Sequence, residues 1–284
     1  MTARLRTLML CADDFGQSPG ISQGIAQLAH AGRLSATSCL TNGAHWPAQS
    51  PTLRALPQSV QRGLHVNLTE GAPLSPELRR VWPVFPPLPK LILQAHLGRL
   101  PQAAIAAEFE AQLAAFGAGA RAGHAPDFID GHQHVHHLPG VRDVLLDALG
   151  RMATPPAVRS TARPLGVGFG VKRFLIAQTG GVALQRLLAH RRIRHNASLL
   201  GVYDFEAVDY RTLMQGWLAL LPTDGGLLFC HPGVAGADAA DDPIAAARVR
   251  ELAYLASPAF SDDLAAAEVQ LGPVWQLSET SRRG

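Results

Sequence analysis

The chain has 284 residues, 47% hydrophobic and only 17% charged, which leaves ample core material and excludes a disordered polyelectrolyte. Lys and Arg number 25 against 22 Asp and Glu, and the arginines are scattered (Arg79-Arg80, Arg191-Arg192, Arg282-Arg283) without forming a stripe, which argues against nucleic-acid binding. Three distant cysteines, Cys11, Cys39 and Cys230, lie in apolar runs and point to buried thiols in a reducing compartment, not a disulfide framework.

The first apolar run, LRTLMLCA at residues 5–12, predicts a buried strand that ends at Asp13. It is too short and too soon interrupted for a signal peptide, and no run of eighteen apolar residues predicts a membrane span, so the expectation is a soluble cytoplasmic protein. After the turn-rich DDFGQSP, residues 20–32 predict a helix with Ser18 as cap and Gly32 as stop. SATSCLTN (35–42) and GLHVNLTEG (63–71) read as strands, and the proline-rich 82–89 as a loop. A long helix follows at 103–120, then a strand opening DFIDGHQHVHH (127–137), a helix at 141–149, and a short strand in PAVRS (156–160). Helices are predicted at 182–192 and 210–222, a buried strand in GGLLFCHPG (225–233), a helix at 243–256, and an extended segment at 267–277. Strand and helix alternate throughout, and no Ser/Gly-rich or charged linker divides the chain; the stretch from Gly117 to Gly123 is an excursion. The pattern predicts one α/β domain over residues 1–284, a (β/α) barrel-like fold before an open doubly wound sheet.

Polar motifs recur at one topological place, the C-terminal end of a predicted strand. They are Asp13-Asp14, His65 with Asn67, Asp130 with His132, and His231. Each has a plain structural reading: an Asx turn, a core histidine, a turn after a strand. Four at the same end of the strands favour a site, because loops converge there in α/β folds. Five of twelve histidines lie between His124 and His137, and alternation in an extended segment places His132, His134 and His136 on one side. Carboxylates and imidazoles around one point suit a divalent cation. The cation would also relieve the repulsion between adjacent Asp13 and Asp14, provided the chain turns at FGQSPG so that both face the site.

The pieces CADDFG, the TNG of Thr41 to Gly43, GLHVNLTEG, DFIDGHQHVH and CHPG, in this order from residue 8 to about residue 233, resemble the YdjC-like carbohydrate deacetylases. That family includes chitooligosaccharide deacetylases and relatives linked to hopanoid modification. The resemblance implies a barrel-like fold and removal of an acetyl group from an N-acetylated amino sugar with one divalent metal, Mg²⁺ or Zn²⁺. It implies metal on Asp14, His65 and His132, Asp13 as general base and His231 as acid; spacing alone does not choose His132 over His134 or His136. Asp130 is expected to orient a histidine or loop, and Arg159 to meet the substrate. Asn67, His134 and His136 complete the substrate-binding or supporting set. Residues 160–200 and the loop 82–89 match no family pattern.

Two alternatives use the same residues: another metal-dependent barrel hydrolase acting on a phosphoester or cyclic amide, and a non-catalytic metal- or sugar-binding protein. A phosphoesterase generally wants more cationic groups or two metals about 4 Å apart. A binding protein has no need of both Asp13 and His231. The expected partner is an acetylated amino sugar, and the apolar segments VWPVFPPLP and LPKLILQAHL are expected to line its groove or a homodimer contact.

Overall fold

The structure is a computed structural model that describes residues 5–120, 125–236 and 242–277. The first four residues, residues 121–123 of the glycine-containing excursion, His124 and Arg282-Arg283 lie outside the described residues. Among the described residues eight strands form one parallel sheet: β1 (Arg6–Phe15), β2 (Ala36–Cys39), β3 (Gln61–Val66), β4 (Phe128–Gly131), β5 (Ala157–Val158), β6 (Leu199–Leu200), β7 (Gly226–Cys230) and β8 (Val269–Leu271). The neighbours run β5-β4-β3-β2-β1-β7-β6, and β8 pairs the first residues of β1.

That order is the chain order taken round a circle, which distinguishes a barrel from a doubly wound sheet, where the order reverses at a switch point. Closure is incomplete. β5 and β6 have two residues each, and isolated parallel bridges, Val158 to His195 and Pro164 to Leu199, link the two ends.

Alternation along the strands sorts the core into two layers. On β1, Leu8, Leu10 and Ala12 pack outward against helices, whereas Met9 and Cys11 face inward with Ala36, Phe128, Ala157, Leu227 and Phe229. The same period carries polar side chains onto the inner face one step further along. Asp13 follows Cys11, Ser38 follows Ala36, Asp130 follows Phe128, Arg159 follows Ala157, and His231 follows Phe229. Apolar residues thus fill the barrel floor and polar ones its C-terminal mouth. The floor is tight: a Cβ on Gly63 would sit 2.3 Å from the Phe128 ring.

Three local predictions are corrected. β1 does not stop before the aspartates but runs through them to Phe15. Residues His132–His137 are not extended; they form a 3₁₀ turn in which Gln133 and His134 adopt left-handed φ values of 51° and 62°. The proline-rich stretch ends by starting a helix at Leu88–His96, because proline in a first turn forfeits no needed N–H. Helices at Trp46–Ala55, Pro76–Val81, Gly170–Ile176 and Pro258–Ala266 are additional to those predicted.

Candidate active site

A regular strand would send Asp13 inward and Asp14 outward. Between β1 and β2 the register slips: Ala12 opposes Thr37 and Phe15 opposes Cys39, so β1 carries one residue more than β2. This bulge contains Asp14 at φ 70°, in the left-handed region that Asp tolerates better than most residues. Both carboxylates consequently line the same cleft, whose volume is about 600 Å³. The turn that makes this possible lies at Asp14 itself, not in the following FGQSPG.

The two aspartates have separate cationic partners. Arg159 grips Asp13 bidentately, Nη2 donating to Oδ1 at 2.6 Å and Nη1 to Oδ2 at 2.7 Å. Its Nη2 also lies 2.5 Å from Asp130 Oδ2. Arg159 is completely buried, so it meets these two carboxylates from behind and leaves the cleft to them. Burial opposes ionisation of Asp130, but Arg159 and then His65 overcome it and lower its carboxyl to about 2. Ser38 Oγ donates to the same carboxylate.

Asp14 Oδ1 sits 3.0 Å from His132 Nδ1 and 3.5 Å from His65 Nε2. Its Oδ2 accepts from Arg248 Nη2 at 2.8 Å. Burial alone would raise Asp14, yet Arg248, then His132 and His65, hold its carboxyl well below the usual range. Burial likewise works against imidazolium, but Asp130 and its neighbours push His65 up to about 10, and Asp14 with Glu70 pushes His132 up to about 9. These are imidazoles surrounded by negative charge, the setting in which a cation takes the place of protons. One oxygen and two nitrogens from Asp14, His65 and His132 lie within 4.8 Å of one another, a donor set and spacing that fit one divalent ion. Cys11, Asp13 and Asp130 form a second such group among the described residues, but there the Arg159 guanidinium already supplies the positive charge.

His231 lines the cleft with the two aspartates. The rings of Phe205 and Phe229 meet it edge-on at 5.2 and 5.6 Å, and its backbone N–H donates to Glu251 Oε2 at 2.6 Å. Burial pulls the imidazole down to about 4, against the opposing pull of Asp14 and Asp13. Glu251 is itself buried, and Tyr203 donates its hydroxyl to it.

The other expected residues divide. His134 lines the cleft, its left-handed backbone turning the ring against Phe229. His136 is fully buried and bonds the Arg159 carbonyl through Nε2 at 2.9 Å, away from His132. The sequence placed these histidines on one side; the 3₁₀ turn separates them. Asn67 is buried and holds its own loop: Oδ1 accepts from the N–H of Thr69 and Glu70, and Nδ2 donates to the Glu70 carbonyl. Glu70, Arg248, Gln17 and Glu251 were not singled out. Glu70 is the single acidic residue of GLHVNLTEG, whereas Arg248 carries no local signal in an ordinary amphipathic helix, Ala245–Ala256.

A family model described as YdjC-like protein matches residues 7–266. The chain belongs to the YdjC-like family. A chitooligosaccharide deacetylase of Klebsiella pneumoniae (strain 342) is 30% identical to this YdjC-like chain over 278 residues, covering 94% of it and 97% of the relative. A carbohydrate deacetylase of Homo sapiens is 38% identical over 171 residues; that match covers 57% of this chain and spans half, 50%, of the human protein's length. Among solved structures, an Enterococcus faecalis V583 protein provisionally assigned to cellobiose-phosphate cleavage superposes with a TM-score of 0.74 at 20% identity, covering 95% of this chain and 98% of that one. This last likeness is one of fold. The match to the YdjC-like family takes in every cleft carboxylate and histidine described above.

Proposed function

We propose that the chain is a metal-dependent deacetylase acting on an N-acetylated amino sugar. The observation that carries this reading is the division of labour between adjacent carboxylates. Asp14 faces two imidazoles as a ligand would, and Asp13, held by Arg159, faces the same cleft without them. The printed names of the relatives, carbohydrate and chitooligosaccharide deacetylase, support the substrate class. Asp14, His65 and His132 would hold the ion, which when bound would polarise the acyl carbonyl and acidify water.

The remaining steps belong to this chain. Asp13 takes the proton from the attacking water; Arg159 fixes its orientation while each carboxylate oxygen keeps a lone pair free of the guanidinium. His231, which follows Cys230 on the strand beside Asp13 (Ala12 opposes Cys230), passes a proton to the leaving nitrogen, since an amine departs poorly as its anion. Burial keeps His231 neutral near pH 7, so the proton it delivers is the one Asp13 took from water, handed on as negative charge develops on the attacked carbonyl, and both side chains end as they began. Phe205, Phe229, Val202 and Ile244 line the cleft around it and exclude water during the transfer.

The direct test is amine release from N-acetylglucosamine oligomers, with a chelator and then with Zn²⁺ or Mg²⁺ restored. Release that stops with chelator and returns with metal is expected. Release untouched by chelator overturns the metal, and no release from any acetylated amino sugar overturns the activity.

A further inference from the structure

Two imidazoles share Asp14, and each has a second carboxylate at its far nitrogen. His65 Nδ1 lies 2.7 Å from Asp130 Oδ1, and His132 Nε2 lies 2.9 Å from Glu70 Oε1. The arrangement is therefore doubled: near nitrogen on Asp14, far nitrogen on its own acid. Histidines that ligate metals commonly give their other N–H to a carboxylate, which fixes the tautomer and the ring plane.

Glu70 is built into place on both sides. Its backbone N–H donates to Asn67 Oδ1 at 3.1 Å, and its carbonyl accepts from Asn67 Nδ2 at 2.8 Å. Gln17 Nε2 donates to Glu70 Oε2 at 2.7 Å, and Gln17 Oε1 in turn accepts from Arg248 Nη2 at 3.1 Å. The same Nη2 reaches Asp14 Oδ2 at 2.8 Å, so Asp14, His132, Glu70, Gln17 and Arg248 close a ring of polar contacts. Asn67, buried and pointing at its own loop, thereby acquires a purpose: it sets the backbone of Glu70.

We propose that Glu70 is the positioning residue for His132, accepting its Nε2–H and presenting Nδ1 to the metal, as Asp130 does for His65. The inference rests on the metal-site reading above and assigns a role to a residue outside the ligand set. The two acids hold unequally. Asp130 is fully buried and takes three partners, whereas the Glu70 side chain is 42% exposed and approaches Nε2 off the axis of the ring N–H. The Glu70 contribution therefore belongs at the weak end of such effects.

The experiment measures Zn²⁺ affinity by chelator competition for the wild type, Glu70→Ala and Glu70→Gln, each first shown to be folded by circular dichroism. Long-range ¹⁵N–¹H spectra of histidine-labelled, Zn²⁺-loaded protein then report the tautomer of His132. Loss of about tenfold in affinity is expected for alanine, the lower end for a removed supporting acid, with glutamine recovering most of it: its carbonyl still accepts the N–H, and Gln17 turns its amide over to accept from the new NH2, giving up its contact with Arg248. The wild type and the glutamine variant should show His132 protonated at Nε2. Alanine binding Zn²⁺ as tightly as wild type overturns the proposal, as does metal on Nε2 with the proton on Nδ1. Glutamine losing as much as alanine also overturns it, since charge or direct ligation would then be what matters. A wild type that binds no Zn²⁺ and no Mg²⁺ removes the metal site itself, an outcome distinct from all of these.

Discussion

Asp13 and Asp14 are neighbours in sequence with opposite surroundings, one against a buried guanidinium and one between two imidazoles. Replacing Asp14 by Asn should empty the site of metal, because it removes the only negative charge in the ligand set and leaves a weak amide oxygen, with an NH2 group facing either the histidines or Arg248. Asp13→Asn should keep the metal and lose about 10²–10⁴-fold in turnover, the usual worth of a general base. Metal content measured beside turnover decides this, and equal metal loss in both variants would show that the roles are wrongly divided. His231 is tested through the leaving group. An activated aryl ester leaves without a proton, so His231→Ala should slow amide cleavage by about 10²-fold or more and ester cleavage far less. Equal losses on both substrates, in a folded variant that still binds metal, would remove His231 from proton transfer and leave it as a packed ring between Phe205 and Phe229.

The elements that hold the site were legible to different degrees, for physical reasons. Buried strands such as GLLFC and LMLCA announce themselves by apolar runs, and their polar successors mark the mouth of the barrel. The bulge at Asp14 and the turn at His132–His137 were not legible, because each depends on a left-handed residue that is neither Gly nor Asn. In HQHVHH, alternation of His with other residues imitates a strand, while packing against Gly131 and Arg159 imposes the turn: a Cβ on Gly131 would meet the His136 backbone N at 2.8 Å. Gln133, exposed with φ 51°, pays for that turn. Gln133→Gly should relieve about 1–2 kcal/mol of left-handed strain, less about 0.5–1 kcal/mol for the freer unfolded chain, a net stabilisation of up to about 1.5 kcal/mol with metal binding intact. Urea unfolding measures it. Destabilisation by this substitution would mean that the Gln133 side chain, not its backbone, is what the turn requires.

At the scale of the molecule, one outer helix feeds the site from behind the sheet. Ala245–Ala256 sends Arg248 to Asp14 and, one turn later, Glu251 to the backbone of His231 and to Tyr203. These contacts join residues 20 to 234 positions apart, beyond the reach of any local pattern. They also tie global stability to pH. Burial raises Glu251 from 4.5 to about 7, against the opposing hydrogen bonds from Tyr203 and the His231 N–H. Between these values the folded chain keeps a proton that the unfolded chain has released, so stability falls as pH rises through the window, and above about 7 the full cost is present. Gln at this position retains both partners, its carbonyl accepting from His231 N–H and its amide donating to the Tyr203 oxygen, and carries no charge to desolvate. Stability of Glu251→Gln relative to wild type should therefore improve by up to about 3 kcal/mol between pH 4.5 and 7 and stay level above it. Groups common to both proteins cancel in that difference, so guanidinium unfolding at pH 4.5, 6, 7 and 8 isolates the one carboxyl. A gap that does not change with pH would mean that Glu251 titrates near its ordinary value and that water reaches it beneath His231.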